Sequence, residues 1–288
     1  MFLLEHDAKE FLALHGVPAP RGVLLERADF DPAGLPPGPW MIKAQLAAGG
    51  RSKAGLVRKA ATESEVVTQV RNMLGTTHQG MTVYSCRVES QIADASETYL
   101  SFMLDPVAAG VRVTLAAQGG IDIESLAATP GAVRSATAAP TLSEIAALAA
   151  KLCADFPPHI ASALTAAARK LAQVFLDAEL ALLEINPLFV RPDGSWNAGD
   201  ARIVTDDDAL RRQPQLRELL ARRSAAYPEA WRKQQHGCDY VVVDPDGSAV
   251  YLLYGSGDQA LFGAPIKLAT VNTPITPLID SVPGQPRP

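Results

Sequence analysis

The sequence contains little cysteine, and no cysteine or histidine lies in a metal-binding spacing. Its three cysteines, Cys86, Cys153 and Cys238, are odd in number and far apart, which argues against a disulfide framework and against a zinc site. The five histidines are equally scattered, so we assign none of them a role. Thiols without partners are typical of a reducing compartment, and the sequence therefore predicts a cytoplasmic location.

Long apolar runs and a strong net charge are also absent. No apolar run approaches the roughly 20 residues that cross a bilayer, and Glu5, Asp7 and Lys9 interrupt the first residues in a way that is not typical of a secretory signal. The net charge of −5 over 288 residues argues against non-specific binding to nucleic acid. Since 48% of the residues are apolar and 20% are charged, the composition favours a globular protein with one large domain or two.

Strand-like and helix-like segments alternate along the chain. Apolar periodicity predicts helices at residues 142–152 and 162–176, and the second has the stronger apolar stripe. That stripe consists of Leu164, Ala168, Leu171 and Phe175. Residues 127–141 are rich in Ala, Pro, Thr and Ser, a composition that favours a loose connection.

The most informative segment is a predicted β-hairpin. An apolar stretch at residues 182–188 is typical of a buried strand, and the turn Arg191-Pro192-Asp193-Gly194 follows it closely. Pro, Asp and Gly at the second, third and fourth positions fit a type I turn closed by a left-handed glycine. This three-residue loop pairs Arg191 with Ser195 and thereby fixes the register of both strands.

That register predicts a site made of oxygen ligands. Counting back along the strands places Asn186 opposite Asp200, with Cβ atoms roughly 5 Å apart, whereas a two-residue loop would put them on opposite faces. Glu184 is two residues from Asn186 and shares its face. Mg²⁺ typically takes one or two carboxylates together with substrate phosphates. The alternative is a solvated polar face on an ordinary hairpin, and the hairpin alone does not decide between the two.

A second candidate site lies early in the chain. Lys43 sits in the otherwise apolar strand 40–45, where a buried charge is costly unless it meets an anion. The basic loop Gly49-Gly50-Arg51-Ser52-Lys53 follows, and its glycines allow backbone N–H groups to approach phosphates. Because the loop lacks the Walker A spacing and opens no helix, we interpret it as a lid over phosphates. An edge-strand lysine that faces water is the alternative for Lys43 alone.

In combination these segments resemble the β subunit of succinyl-CoA synthetase, a family with the ATP-grasp fold. The resemblance covers roughly residues 1–235 and rests on five segments, which are residues 16–20, 38–45, 48–55, 183–188 and 212–218. It implies an α+β ATP-grasp fold, in which two α+β lobes hold ATP between them. It also implies the cofactors ATP and Mg²⁺.

The resemblance assigns the phosphate and metal contacts to residues of this chain. Lys43 would hold the ATP phosphates, and Asn186 and Asp200 would bind Mg²⁺, as the hairpin register also predicts. The lid over the phosphates would consist of Gly50, Arg51 and Ser52.

The remaining implied residues concern the nucleoside and the chemistry. Glu89 would lie at the adenine hinge with Ile92 beside it, and Glu97 would meet the ribose. Glu184, the implied catalytic residue, would face a phosphohistidine carried by a separate, CoA-binding α subunit. In the family, ATP phosphorylates that histidine, and the phosphoryl group passes through an acyl phosphate of a small carboxylate to give acyl-CoA.

The chain departs from the family pattern at three places. Ala47 replaces a histidine of the lid, and Tyr254 replaces an asparagine that normally touches the carboxylate. A ligase domain needs about 100 residues or more, and only about 50 follow Cys238. We therefore expect an ATP-grasp domain at residues 1–235 and, at 236–288, a shortened remnant of a CoA-ligase-like domain with a proline-rich tail.

Three functions are compatible with these features. The leading hypothesis is an ATP-dependent, ADP-forming carboxylate–CoA ligase subunit that needs its α partner. The alternatives are a stand-alone ATP-grasp ligase that acts on another carboxylate, and a degenerate, non-catalytic nucleotide-binding or regulatory subunit. Intact Lys43, Glu184, Asn186 and Asp200 favour activity, whereas Tyr254 favours degeneration.

Overall fold

The computed structural model describes residues 1–120, 123–236, 250–254 and 267–271. The chain divides into two compact units, Met1–Leu219 and Leu220–Pro288. The strands are β1 (Phe2–Leu3), β2 (Gly22–Leu25), β3 (Trp40–Ala44), β4 (Val57–Ala60), β5 (Thr77–His78), β6 (Met81–Thr82), β7 (Cys86–Ser90), β8 (Ser96–Asp105), β9 (Gly110–Ala116), β10 (Val133–Ala138), β11 (Leu180–Val190), β12 (Trp196–Ala198), β13 (Arg202–Thr205), β14 (Val250–Tyr254) and β15 (Lys267–Val271). The α-helices are α1 (Glu5–Leu14), α2 (Glu63–Met73), α3 (Ile123–Ala127), α4 (Leu142–Leu152), α5 (Pro158–Asp177), α6 (Pro214–Arg222) and α7 (Pro228–His236).

A four-stranded antiparallel sheet forms the first layer of the larger unit. Its order is β2-β7-β3-β4, so the strand that carries Lys43 lies between two neighbours. Helix α2 packs on this sheet through Val66, Val70 and Met73, which are buried. The Thr62 hydroxyl accepts from Glu65 N at 3.3 Å, and the Glu65 carboxylate accepts from Ala61 N at 2.7 Å, a reciprocal capping arrangement that begins the helix at a defined residue.

A seven-stranded antiparallel sheet forms the second layer. Its order is β1-β13-β11-β8-β9-β10, and β12 pairs with β11 beside that path. Helix α5 packs on β8 and β11, while α4 packs on β9 and β10. The predicted apolar stripe of α5 is confirmed, since all four of its residues are buried. The predicted loose connection is wrong in part, because residues 133–138 form the edge strand β10.

The predicted turn and register of the hairpin are confirmed over the residues that pair. Arg191 N donates to Ser195 O at 2.9 Å, and Gly194 adopts a φ of +80°. The pairs continue from Val190–Trp196 to Leu188–Ala198. Beyond them the amides of Gly199 and Asp200 both donate to the Pro187 carbonyl, at 2.9 and 3.4 Å. The ladder therefore ends where the predicted oxygen ligands begin.

The smaller unit contains α7 and a two-stranded antiparallel sheet. Strand β14 agrees with the strand predicted near residues 249–254, and it pairs with β15, a partner that the sequence pattern did not identify. The strand predicted at 240–243 and the proline-rich tail lie outside the described residues. The predicted domain boundary at residue 235 stays a prediction.

Two further expectations concern the membrane and the cysteines. Within the described ranges, no helix is both long enough and apolar enough to cross a membrane. Cys86 and Cys153 are buried free thiols, and burial raises the pKa of the first to about 12 and of the second to about 11. Burial therefore favours the protonated, unreactive form of both thiols. Cys238 lies outside the described residues.

We expect Phe102→Ala to lower the free energy of unfolding by about 3–5 kcal/mol. Phe102 is fully buried on β8, and its ring centroid lies 5.9 Å from that of Phe175 on α5. The matched control is Met103→Ala, because Met103 is the next residue of the same strand and is 45% exposed. Urea unfolding of both variants measures the difference, and equal losses would contradict the described packing of α5 on β8.

Candidate functional site

Seven charged side chains from five parts of the larger unit meet in one cluster. Helix α1 supplies a glutamate and a lysine, and β7 supplies an arginine and a glutamate. Strand β3 supplies a lysine, the lid loop (residues 49–53) supplies an arginine, and the segment after β12 supplies an aspartate. We call this set the ion cluster, and its members are Glu5, Lys9, Lys43, Arg51, Arg87, Glu89 and Asp200. Four cations face these three carboxylates, and Arg87 also lies 3.8 Å from the exposed carboxylate of Glu10.

Lys43 lies at the centre of the ion cluster rather than facing water. Its Nζ donates to Glu5 Oε1 at 2.7 Å and to the Gly199 carbonyl at 2.6 Å, and it lies 2.9 Å from Glu89 Oε1. Burial alone would lower the pKa of Lys43, but the charges of Glu5 and Glu89 outweigh burial and raise it. Lys43 therefore remains a cation, and its anionic surroundings explain how an apolar strand tolerates it.

Arg51 ties the lid loop to the ion cluster. Its Nη2 lies 2.8 Å from Asp200 Oδ2 and 2.8 Å from Glu5 Oε2, and its Nη1 donates to the Ala44 carbonyl at 2.9 Å. The loop has no apolar side chain to anchor it, but these ionic contacts hold it at one residue. Burial would lower the pKa of Arg51, and the charges of Asp200 and Glu5 raise it instead.

The carboxylates of the cluster differ in how strongly the neighbouring cations stabilise their negative charge. Burial would raise the pKa of Glu5, yet Lys43, Lys9 and Arg51 together hold it well below its ordinary value. Burial and the negative charge of Glu5 raise the pKa of Asp200, although Arg51 acts in the opposite direction. Asp200 is the one carboxylate of the three whose pKa is raised, and it is also the most exposed of them, with 30% of its side chain accessible.

A glycine pair connects two more predicted site residues. Gly119 N donates to the Glu97 carbonyl at 2.7 Å, and Gly120 N donates to Asn186 Oδ1 at 2.7 Å. A Cβ at Gly119 would overlap the Thr98 carbonyl, and one at Gly120 would overlap the Glu97 carboxylate. The close approach to the Thr98 carbonyl requires glycine at position 119, and the φ of +71° favours glycine at position 120. The pair brings Glu97 and Asn186 to the same place.

The carboxyl group of Glu184 interacts electrostatically with that of Asp200. Burial raises the pKa of Glu184, and the charge of Asp200 adds to that rise. Arg202, the residue opposite Glu184 on β13, lowers the pKa. A bulge interrupts the pairing of β11 with β8 between Ile185 and Leu188. The strict alternation that placed Glu184 and Asn186 on one face is thus broken near Asn186, and the proximity of Glu184 to the site rests on its interaction with Asp200.

The predicted adenine-hinge residues lie at the end of β7. The Glu89 carboxylate is buried and bound by Lys9, Lys43 and Arg87, so a contact with adenine would have to come from the backbone here. Ile92 lies just beyond this strand and is half-buried. Gly50, with a φ of +73°, and Ser52 lie in the lid loop. The roles of these residues stay predictions.

Three members of the ion cluster were not predicted from the sequence. Glu5 and Lys9 are four residues apart on α1, a spacing that places them on one helix face, and Lys9 donates to Glu5 at 2.7 Å. Arg87 donates to Glu89 at 2.7 Å and to the Pro20 carbonyl at 2.9 Å. The helical spacing was a signal for the first two, but it is equally typical of an exposed ion pair.

Asn186 and Asp200 are the predicted ligands of Mg²⁺, and their pairing at one metal stays a prediction because the β11–β12 ladder ends before they would face each other. Among the described residues no three His, Cys, Asp or Glu side chains could hold a metal by themselves. Asp200 and Asn186 offer one carboxylate and one amide oxygen, and Mg²⁺ typically combines so few protein ligands with substrate phosphates. Asp200 Oδ2 contacts Arg51, so an arginine that moves to a phosphate would release this oxygen.

Two antiparallel sheets with packed helices, a buried lysine on β3 and a glycine-rich loop whose Arg51 contacts Asp200 fit an ATP-grasp protein. Residues 2–190 match the family model described as an ATP-grasp domain, and the expected α+β ATP-grasp fold is confirmed. The chain belongs to the family of the β subunits of ADP-forming succinate–CoA ligases.

Individual relatives support this assignment. The β subunit of succinate–CoA ligase from Chloroflexus aurantiacus is 34% identical over 269 residues, which cover 89% of this chain and 68% of that protein. A probable malate–CoA ligase β subunit from Mesorhizobium japonicum is 31% identical over 272 residues, with coverage of 89% and 68%. The succinate–CoA ligase β subunit from Shigella flexneri is 31% identical over 272 residues, with coverage of 89% and 69%.

Solved structures with the same fold are more distant in sequence. An acetyl-coenzyme A synthetase from Ca. Korarchaeum cryptofilum has a TM-score of 0.55 at 21% identity, and the match covers 71% of this chain and 93% of that one. ATP citrate lyase from Methanothrix soehngenii has a TM-score of 0.57 at 19% identity, with coverage of 91% and 58%. At these identities the two structures support the fold alone.

We expect Gly119→Ala to lower the free energy of unfolding by about 1–3 kcal/mol. The added methyl group would meet the backbone oxygen of Thr98, which cannot rotate away as a side chain could. Gly34→Ala is the control, since no atom lies within 4 Å of a Cβ at that position. Urea unfolding compares the two variants. Equal stability would mean that the loop does not approach β8 as closely as described.

Proposed function

We propose that this chain binds Mg-ATP and drives phosphoryl transfer towards a carboxylate, as the nucleotide-binding subunit of an ADP-forming acid–thiol ligase. The observation that carries the proposal is the ion cluster, in which the cations Lys43 and Arg51 share the carboxylate of Glu5 and Arg51 also contacts Asp200. A polyphosphate has the charge that such a cluster attracts. Family membership supports the same conclusion, because the relatives are described as ADP-forming CoA ligase subunits.

The chemistry assigned to this chain is positioning and charge neutralisation. Lys43 donates to the phosphate oxygens, and the lid residues Gly50 and Ser52 present backbone N–H groups to them. Arg51 exchanges the Asp200 carboxylate for a phosphate, so that the lid closes over the nucleotide. Asn186 and Asp200 would hold Mg²⁺, and the metal would supply charge neutralisation for the phosphates.

The nucleoside contacts follow from the family resemblance described above. We assign the adenine to the backbone near Glu89 and Ile92, and the ribose hydroxyls to the Glu97 carboxylate. Glu97 is exposed at the start of β8, so its carboxylate is accessible to a hydroxyl group. Its neighbour Gly120 also holds Asn186, and this contact links the ribose end of the site to the metal end.

Glu184 is the proposed catalytic residue at the far side of the phosphates. A carboxyl group there can accept a hydrogen bond from the N–H of an imidazole and orient that ring for phosphorylation at its other nitrogen. The imidazole would come from a CoA-binding α subunit, because this chain has no histidine among its predicted site residues. The partner, the small carboxylate, the cytoplasmic location and the division into domains at residue 235 belong to this proposal.

A non-catalytic nucleotide-binding subunit is the second candidate. The observation that favours it is Tyr254, which stands where the family pattern has an asparagine that touches the carboxylate. The two functions differ in one product. A catalytic subunit transfers the γ-phosphoryl group of ATP to a histidine of its α partner, whereas a non-catalytic one binds Mg-ATP without that transfer.

We expect Asp200→Asn to weaken the binding of Mg-ATP by about ten- to a hundredfold, with the fold retained. The loss should disappear when ATP is titrated without Mg²⁺, because the carboxylate acts through the metal. Asp206→Asn is the matched control, as Asp206 is an exposed aspartate outside the ion cluster. Calorimetry with and without Mg²⁺ measures both effects. An unchanged affinity for Mg-ATP would remove Asp200 from the metal site and count against the proposed function.

We also expect the lid loop to be cut by trypsin without nucleotide and protected by Mg-ATP. Lys53 is exposed while Arg51 is held by Glu5 and Asp200, so cleavage should occur first after Lys53. Mass spectrometry of timed digests identifies the site, and cleavage after the exposed Lys151 on α4 serves as the internal control. Equal cutting of the loop with and without Mg-ATP would argue against its role as a phosphate lid.

A further inference from the structure

Lys9 is a buried cation for which the proposed chemistry has no use. It lies on α1 with 1% of its side chain exposed. Its Nζ donates to Glu5 Oε1 at 2.7 Å, to the two Glu89 carboxylate oxygens at 2.9 and 2.8 Å, and to the Gly199 carbonyl at 2.6 Å. Its three protons serve these four acceptors, and its side chain is 1% exposed, against 8% for Lys43.

Lys9 and Lys43 share the same acceptors. Both ammonium groups donate to Glu5 Oε1 and to the Gly199 carbonyl, and both lie within 2.9 Å of a Glu89 oxygen. Without Lys9, the carboxylates of Glu5 and Glu89 would bind Lys43 with their full charge. A lysine bound in that way has less attraction left for an incoming anion, because the local charge has already been cancelled.

Lys9 also contacts the backbone next to Asp200, through the Gly199 carbonyl that it shares with Lys43. Gly199 precedes Asp200, and its amide donates to the Pro187 carbonyl at 2.9 Å. Its Cα packs so closely against the Phe189 ring that a Cβ would overlap that ring. Gly199 is thus packed against the Phe189 ring, and its carbonyl oxygen accepts from the ammonium groups of Lys9 and Lys43. These contacts restrict the backbone at Asp200.

We propose that Lys9 is a positioning residue of the phosphate site. It compensates Glu5 and Glu89 so that Lys43 and Arg51 keep their attraction for phosphate, and it fixes the Gly199 carbonyl beside Asp200. This inference rests on the proposed function, since it concerns the same phosphate site. It adds a residue of α1 that touches neither nucleotide nor metal.

The charge argument makes a specific prediction for paired substitutions. Lys9→Met removes one of the four cations of the ion cluster and leaves its three carboxylates in place. The double variant Lys9→Met/Glu5→Gln also removes one carboxylate and thereby restores the wild-type balance of charge. Lys151→Met is the matched control, because it removes one lysine from the exposed surface of α4.

The experiment measures the affinity of each variant for Mg-ATP, tripolyphosphate and adenosine by calorimetry. We expect Lys9→Met to weaken the binding of Mg-ATP and tripolyphosphate at least tenfold while adenosine binding stays unchanged. The double variant should recover most of the loss, and Lys151→Met should bind like the wild type. A general loss of structure would weaken adenosine binding as well, and urea unfolding detects it directly.

The outcomes separate this inference from the proposed function. If the wild type does not bind Mg-ATP, the proposed function fails. If it does, and Lys9→Met binds tripolyphosphate equally well, Lys9 does not position the phosphate site. Should Lys9→Met fail to fold, the double variant decides, since wild-type affinity there supports the charge argument and weak binding by the folded double variant overturns it.

Discussion

The larger unit depends on the mutual compensation of charges that are buried together. A buried carboxylate or ammonium group is unfavourable by itself, and the attraction of its partners offsets the loss of water only when the geometry is close. Here Glu5, Lys43 and Glu89 come from α1, β3 and β7, and they meet at 2.7–2.9 Å. The arrangement of these elements is therefore coupled to the arrangement of the charges, and removing one partner leaves another buried charge uncompensated.

The same constraint acts on the lid loop, which ionic contacts hold at Arg51. Arg51 is bound by two carboxylates rather than by apolar packing. A phosphate can compete for a guanidinium group, whereas it cannot compete for a buried methyl group. An anion that binds the closed lid better than the open one shifts the equilibrium by that difference in affinity. An ionic anchor is thus suited to a loop whose position depends on a charged ligand.

Local chemistry made some parts of the molecule predictable. The turn at Pro192-Asp193-Gly194 has one favoured geometry, so the register of β11 and β12 followed from it. The apolar stripe of α5 follows from helical periodicity alone. The edge strand β10 was missed, because its Ala, Ser and Thr residues form a strand only through pairing with β9. Lys9 and Arg87 were missed since burial of a charge depends on partners about 80 residues away.

The site lies where regular structure is interrupted. The β11–β12 ladder ends at Leu188–Ala198, and a bulge shifts β11 against β8 between Ile185 and Leu188. A continuous strand would place each successive carbonyl in a ladder, whereas here the Gly199 carbonyl accepts from two lysines instead. The regular pairing expected for strands is thus interrupted where the backbone of Gly199 contacts the ammonium groups. Such departures from local rules are expected at functional sites.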